Sequence, residues 1–85
     1  MPPVTIYTKG WCPYCAAAKD LLKQKGLDFT EIDVEKTPAA RAEMVGKAGG
    51  RTTVPQIFIG SRHVGGCDDI HALDARGELD RLLAA

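Results

Sequence analysis

Cys12 and Cys15 stand three positions apart in the stretch Trp11-Cys12-Pro13-Tyr14-Cys15. A pair at that spacing can close a disulfide with each other or offer two ligands to a metal. Val4 to Tyr7 (Val-Thr-Ile-Tyr), just upstream, is β-branched and aromatic and predicts a strand. Ala16 to Lys25, just downstream, is rich in Ala, Leu and Lys and predicts a helix. Cys12 therefore falls where a strand passes into a helix. It is the expected N-cap, with Pro13 at the first helical position, where the amide hydrogen that proline lacks has no partner to lose. Cys15 then lies in the same first turn. Unpaired N–H groups and a partial positive charge at a helix start favour a thiolate. With the N–H groups of Tyr14 and Cys15 and the charge of Lys9 nearby, Cys12 is expected to ionise below the free-thiol value of about 8.5.

This strand–CxxC–helix context favours redox chemistry. Two other readings stand beside it: a pair of metal ligands, or two incidental core cysteines. A structural zinc site takes four Cys or His ligands. Beyond the pair, only Cys67, His63 and His71 remain, with no second close pair among them.

The elements that must position these cysteines belong to a chain of 85 residues, the length of one small domain spanning 1–85. Its 45% hydrophobic content is that of an ordinary globular protein. Eleven basic and eleven acidic residues cancel, which gives no electrostatic footprint for nucleic acid or for a membrane surface. No apolar run is long enough to span a bilayer. Met1-Pro2-Pro3 lacks the basic and apolar regions of a signal peptide. Three cysteines make a poor disulfide framework, so a reducing, cytoplasmic setting with cysteines used for chemistry is expected.

Along the chain, Val4 and Ile6 face one way and Thr5 and Tyr7 the other. The first helix sets Ala18, Leu21 and Leu22 on one face, and Gly26 is a natural C′ residue for its end. Leu27 to Val34 predicts a second strand. Phe29 and Ile32 are out of phase there, which predicts a bulge or an early end near Thr30. Thr37-Pro38 predicts an N-cap and first position for a second helix. That helix carries Ala40, Met44, Val45 and Ala48 on one side and stops at Gly49-Gly50. Val54 to Ile59 predicts a third strand with Pro55 at its entry, and Gly60-Ser61 a two-residue hairpin turn into Arg62-His63-Val64. Gly65-Gly66 is expected to break that strand. Asp68 and Asp69 suit the first turn of a helix that ends at Gly77, and Leu79, Leu82 and Leu83 mark a last short one. The first strand–helix–strand unit is expected to be parallel and the closing hairpin antiparallel.

Three further features could converge on Cys12: Lys9, the run Thr53-Val54-Pro55, and Gly65-Gly66-Cys67-Asp68-Asp69, a glycine turn at a helix start suited to a carboxylate. Alone, each has an ordinary reading: a surface lysine, a trans proline, a helix cap. Together, Lys9 to Cys15 (KGWCPYC), Thr52 to Ile59 (TTVPQIFI) and Gly65 to Asp69 (GGCDD) resemble the glutaredoxins in order and spacing, along essentially the whole chain. The likeness is greatest to the small dithiol glutaredoxins of bacteria.

The resemblance implies an α/β thioredoxin fold, a four-stranded mixed sheet ordered 2-1-3-4 flanked by helices, with a cis bond before Pro55. It implies glutathione as co-substrate with no tightly bound cofactor or metal, disulfide-containing or glutathionylated proteins as partners, and a monomer. By resemblance, Lys9 and Arg41 face the glycine carboxylate of glutathione. The Val54 backbone pairs with its cysteinyl residue like an added strand. The N–H groups of Cys67 and Asp68 take the γ-glutamyl carboxylate, and the Asp68 side chain takes the amine. Thr53 and Tyr14 line the groove, and Gly66 lets backbone approach without a Cβ in the way. The reaction implied is thiol–disulfide exchange, Cys12 attacking and either glutathione or Cys15 resolving. Two alternatives share the fold. A carrier reduced by thioredoxin reductase lacks the glutathione contacts, which Lys9 and Asp68 argue against. An iron–sulfur carrier usually has a small residue after the first cysteine, often in CGFS, where this chain has Pro13.

Overall fold

The computed structural model describes residues 2–84. In chain order the elements are β1 (Val4–Thr8), α1 (Pro13–Gln24), β2 (Thr30–Asp33), α2 (Pro38–Lys47), β3 (Gln56–Ile59), β4 (Arg62–Gly65), α3 (Cys67–Ala75) and α4 (Glu78–Ala84). The sheet order is β2-β1-β3-β4. β1 runs parallel to β2, with Tyr7 opposite Ile32, and antiparallel to β3, with Tyr7 opposite Gln56. β3 and β4 form the antiparallel hairpin. This is the mixed four-stranded sheet expected.

Both sheet faces are covered, and unequally. Val4, Ile6, Ile57 and Ile59 pack with Ala18, Leu21 and Leu22 of α1, Ile70 and Leu73 of α3, and Leu79 and Leu83 of α4. On the other face Tyr7, Val34 and Phe58 meet Met44 and the half-buried Val45 of α2 and Ala48 at its C-cap. Tyr7 and Phe58 touch edge to face at 5.7 Å, and the Tyr7 hydroxyl donates to Glu43 Oε1 at 2.9 Å.

The second strand is shorter than Leu27 to Val34: of the two expectations near Thr30, a strand boundary is found there and a bulge is not. α1 ends in a Schellman turn: the Leu27 N–H donates to the Leu22 carbonyl at 3.1 Å and the Gly26 N–H to that of Lys23 at 2.9 Å. Leu27 is thereby used by the helix stop, and the ladder begins only at Thr30. Phe29, ahead of the strand, packs on the larger cluster and Ile32 on the smaller. Their opposite phase reflects a sheet with two apolar faces, not an inserted residue. The irregularity lies instead in β4. Phe58 pairs His63 but Ile57 pairs Gly65, which leaves Val64 as the extra residue. Gly65 accordingly ends β4 instead of breaking it. Thr37 takes the N-cap position of α2 without a side-chain hydrogen bond. The Asp33 carboxylate receives the Glu35 and Lys36 N–H groups just before it.

Candidate active site

The loop from β1 to α1 carries Lys9 through Cys12. Cys12 is extended (φ −153°, ψ 110°) and caps α1, its sulfur accepting the Cys15 N–H at 3.3 Å. Burial alone raises its thiol pKa. The hydrogen bonds with Cys15, the Tyr14 N–H and the Lys9 ammonium outweigh that and hold the pKa below its ordinary value. Cys15, 2% exposed, behaves oppositely. Burial first, then its hydrogen bond to Cys12, pushes its thiol up to about 12. A half-buried thiol that ionises more readily than usual thus sits beside a buried one that resists ionisation, a division of labour suited to attack by Cys12. Trp11 and Tyr14, 84% and 64% exposed, flank it.

On one side of this pair lies an open groove of about 250 Å³. It brings together Tyr14 from α1, Thr53, Val54 and Pro55 ahead of β3, and Gly66, Cys67 and Asp68 at the start of α3. Seven of the residues singled out from sequence therefore line one cavity. The Val54–Pro55 bond is cis. Neither Thr53 nor Val54 forms a backbone–backbone hydrogen bond among the described residues. Cys67 is half-buried. Its thiol is pushed up by burial, then by the Asp68 carboxylate and by Cys12, so it is no second activated nucleophile. Its sulfur lies 3.5 Å from His71 Nδ1.

Lys9 and Arg41 stand outside the groove's lining. So do the two cysteines: Lys9 lines a separate cleft together with Trp11, Cys12, Cys15 and Lys19. Arg41, exposed on α2, donates from Nη2 to the Thr52 carbonyl at 3.2 Å and so braces the groove loop from behind. The cation in the lining is Arg51, paired with Asp69 at 3.1 Å. Sequence reasoning gave Arg51 no role. Its signal was position, between the glycine stop of α2 and the Thr52–Pro55 run. Asp69 does more than suit a helix start: its carboxylate receives the Gly66 N–H at 2.8 Å. That hydrogen bond and Arg51 hold its pKa low against burial. Because Gly66 has no side chain, this is one half of a capping box. Gly65 makes the approach possible. Its φ is +119°, and a Cβ there would overlap the Asp69 carboxylate. Among the described residues no group of three or more His, Cys, Asp or Glu is arranged to hold a metal ion, and no helix is long and apolar enough to cross a membrane.

The Glutaredoxin family model matches residues 4–64. A curated Pseudomonas aeruginosa protein named glutaredoxin is 62% identical over 85 residues, covering all of both chains. The solution structure of a Brucella melitensis glutaredoxin superposes with a TM-score of 0.85 at 60% identity, over 98% of this chain and 89% of that one. The crystal structure of a buckwheat glutaredoxin–glutathione complex gives 0.88 at 31% identity, over 98% of this chain and 77% of that one.

Proposed function

We propose that this chain, which belongs to the glutaredoxin family of thiol–disulfide oxidoreductases, uses glutathione to reduce protein–glutathione mixed disulfides and protein disulfides. The observation that carries the proposal is the Cys15 N–H donated to the sulfur of a half-buried Cys12, with the Cys15 thiol buried behind it and a groove lined by Tyr14, Cys67 and Asp68 close by. A buckwheat relative solved with glutathione supports the choice of ligand.

The Cys12 thiolate attacks the glutathionyl sulfur of a mixed disulfide. The Cys12–glutathione disulfide forms, the protein–sulfur bond breaks, and the protein leaves as a thiolate that takes a proton from solvent. A second glutathione thiolate then attacks the sulfur on Cys12, giving glutathione disulfide and restoring Cys12. For a protein disulfide, the Cys12 thiolate attacks one protein sulfur, the protein S–S bond breaks, and the other protein sulfur leaves as a thiolate that takes a proton. Cys15 loses its proton and attacks the Cys12 sulfur, which forms the Cys12–Cys15 disulfide and releases the remaining protein sulfur, and two glutathiones reduce that disulfide to give glutathione disulfide. Glutathione carries two carboxylates and one amine. The free backbone groups of Val54 suit its peptide, and the helix start at Cys67 and Asp68 suits one carboxylate. The exposed Asp68 carboxylate suits the amine. Arg51, in the groove lining, is the cation for the other carboxylate, with Lys9 beside Cys12 and Arg41 holding the loop. Thr53, Pro55, Gly66 and Tyr14 form the walls.

A glutathione-coupled assay on a small glutathionyl mixed disulfide tests this. The wild-type chain turns over, and Cys12→Ser does not. Reduction by thioredoxin reductase with no response to glutathione would refute the proposal.

A further inference from the structure

Gln56, the first residue of β3, is 0% exposed, although an aliphatic side chain would serve the sheet as well. A buried amide is costly unless all its hydrogen-bonding groups are met. Those of Gln56 are met in one direction. Its Nε2 donates to the Thr53 carbonyl at 3.0 Å and to Thr53 Oγ1 at 3.2 Å. Its Oε1 lies 2.6 Å from His63 Nε2.

The orientation is dictated by chemistry. The Thr53 carbonyl can only accept, so the Gln56 NH2 must face it, and the Gln56 oxygen must face His63. That oxygen can only accept, so His63 Nε2 must carry a hydrogen. The imidazole is held for the task by stacking on Phe58 at 5.0 Å, its partner in the β3–β4 ladder. Burial and Arg51, opposed by Asp69, keep its pKa below the ordinary value, which favours a neutral ring; the Gln56 oxygen at 2.6 Å sets that ring's one hydrogen on Nε2.

A chain of directed hydrogen bonds therefore runs from β4, through a buried amide, to the loop that walls the groove. Thr53 has no backbone–backbone hydrogen bond of its own among the described residues, so this side chain is what holds its carbonyl. We propose that Gln56 and His63 are positioning residues: His63 orients the Gln56 amide, the amide fixes the Thr53 carbonyl, and the Val54 backbone is thereby presented to the ligand. The inference rests on the glutathione reading above and assigns that site a supporting layer.

The test uses the intact chain and S-methylglutathione, which binds without exchanging sulfur. His63→Phe keeps a ring on Phe58 and removes the donor, whereas His63→Gln returns an N–H. His63→Phe is expected to weaken S-methylglutathione binding, and to raise the KM for a glutathionyl mixed disulfide, by about 3- to 10-fold, the range of one hydrogen bond. The rate of Cys12 alkylation should stay at the wild-type value, and His63→Gln should recover most of the loss. Unchanged binding in a folded His63→Phe chain overturns the inference, as does a loss that extends to Cys12 alkylation and is not recovered by Gln. Nitrogen-15 NMR of wild-type His63 near pH 7 gives a check needing no variant: the Nε2–H tautomer is expected, and Nδ1–H would overturn the network. Wild-type protein that binds no S-methylglutathione refutes the proposed function itself, a result distinct from equal binding by wild type and His63→Phe.

Discussion

The backbone N–H of Cys15 points at the sulfur of Cys12 from 3.3 Å, so the residue whose own thiol is hardest to ionise stabilises the ionised form of its neighbour. Alkylation should read this asymmetry directly. Iodoacetamide at neutral pH is expected to label Cys12 and leave Cys15 untouched. The pH profile of Cys12 should turn over below the ordinary thiol value, and Cys15 should become reactive only toward about 12. Earlier labelling of Cys15 would reverse the assignment of roles.

The same asymmetry separates the two half-reactions. Cys12→Ser is expected to lose both deglutathionylation and protein-disulfide reduction. Cys15→Ser should keep substantial deglutathionylation, because a second glutathione can resolve the intermediate. It should lose most protein-disulfide reduction and accumulate a trapped mixed disulfide visible by mass spectrometry. Turnover of a glutathionyl substrate by Cys12→Ser is the result that excludes this scheme.

Asp68 is an exposed carboxylate in the groove lining, and the proposed function pairs it with the glutathione amine. Asp68→Ala is expected to weaken glutathione use by about 1–3 kcal/mol, the range of a charged hydrogen bond. Dithiothreitol-driven reduction should hardly change, since that donor has no amine. Equal losses with both donors would mean that the residue acts through folding.

Gly65 and Gly66 adjoin each other and should respond differently to a methyl group. At Gly65 the backbone is left-handed and the Asp69 carboxylate occupies the Cβ position, whereas at Gly66 φ is −95° and a Cβ would meet the Pro55 carbonyl at 3.3 Å. Gly65→Ala is expected to cost at least about 1–3 kcal/mol in urea unfolding, the range of local backbone strain. Gly66→Ala should cost less and show mainly as weaker ligand binding. Equal unfolding midpoints would contradict the close approach of Asp69.

Asp69 also gives stability a pH dependence. Its folded pKa is depressed by the Gly66 N–H and by Arg51, so its contribution is fully present above the unfolded value, about 3.9. It is lost as pH falls through the folded one. Urea midpoints of wild type and Asp69→Asn should therefore differ near neutral pH and converge as the solution is acidified below that point. A constant gap across this range would assign the effect to something other than the charge.

Local signals in the sequence sufficed wherever one residue type solves one local problem. Pro13 and Pro38 open helices, Gly26 closes one, and the Cys12 cap follows from the strand–helix junction. What escaped depends on the far side of the sheet or on a side chain reaching across a turn. The phase conflict of Phe29 and Ile32 reads as a bulge only when one apolar face is assumed, and here there are two. The bulge at Val64 is set by pairing with Ile57 and Phe58, which no window of β4 alone contains. Arg51 and Asp69 are separated by seventeen intervening positions, and nothing in their spacing announces the ion pair that brings them into the groove.

Coverage of the sheet by α2 alone on one face bears on how the molecule breathes. Lifting α2 lays bare Tyr7 and Phe58 while the larger cluster stays intact, so amide hydrogens of α2 should exchange through partial opening, ahead of those in α1. The groove loop leaves from the end of this helix, and Arg41 ties the helix to Thr52. A ligand gripping Arg51 and Thr53 therefore weighs down the lid of the thinner core. Deuterium uptake in Pro38–Lys47 should slow when the groove is filled, making a helix that touches no reacting sulfur the most sensitive reporter of occupancy.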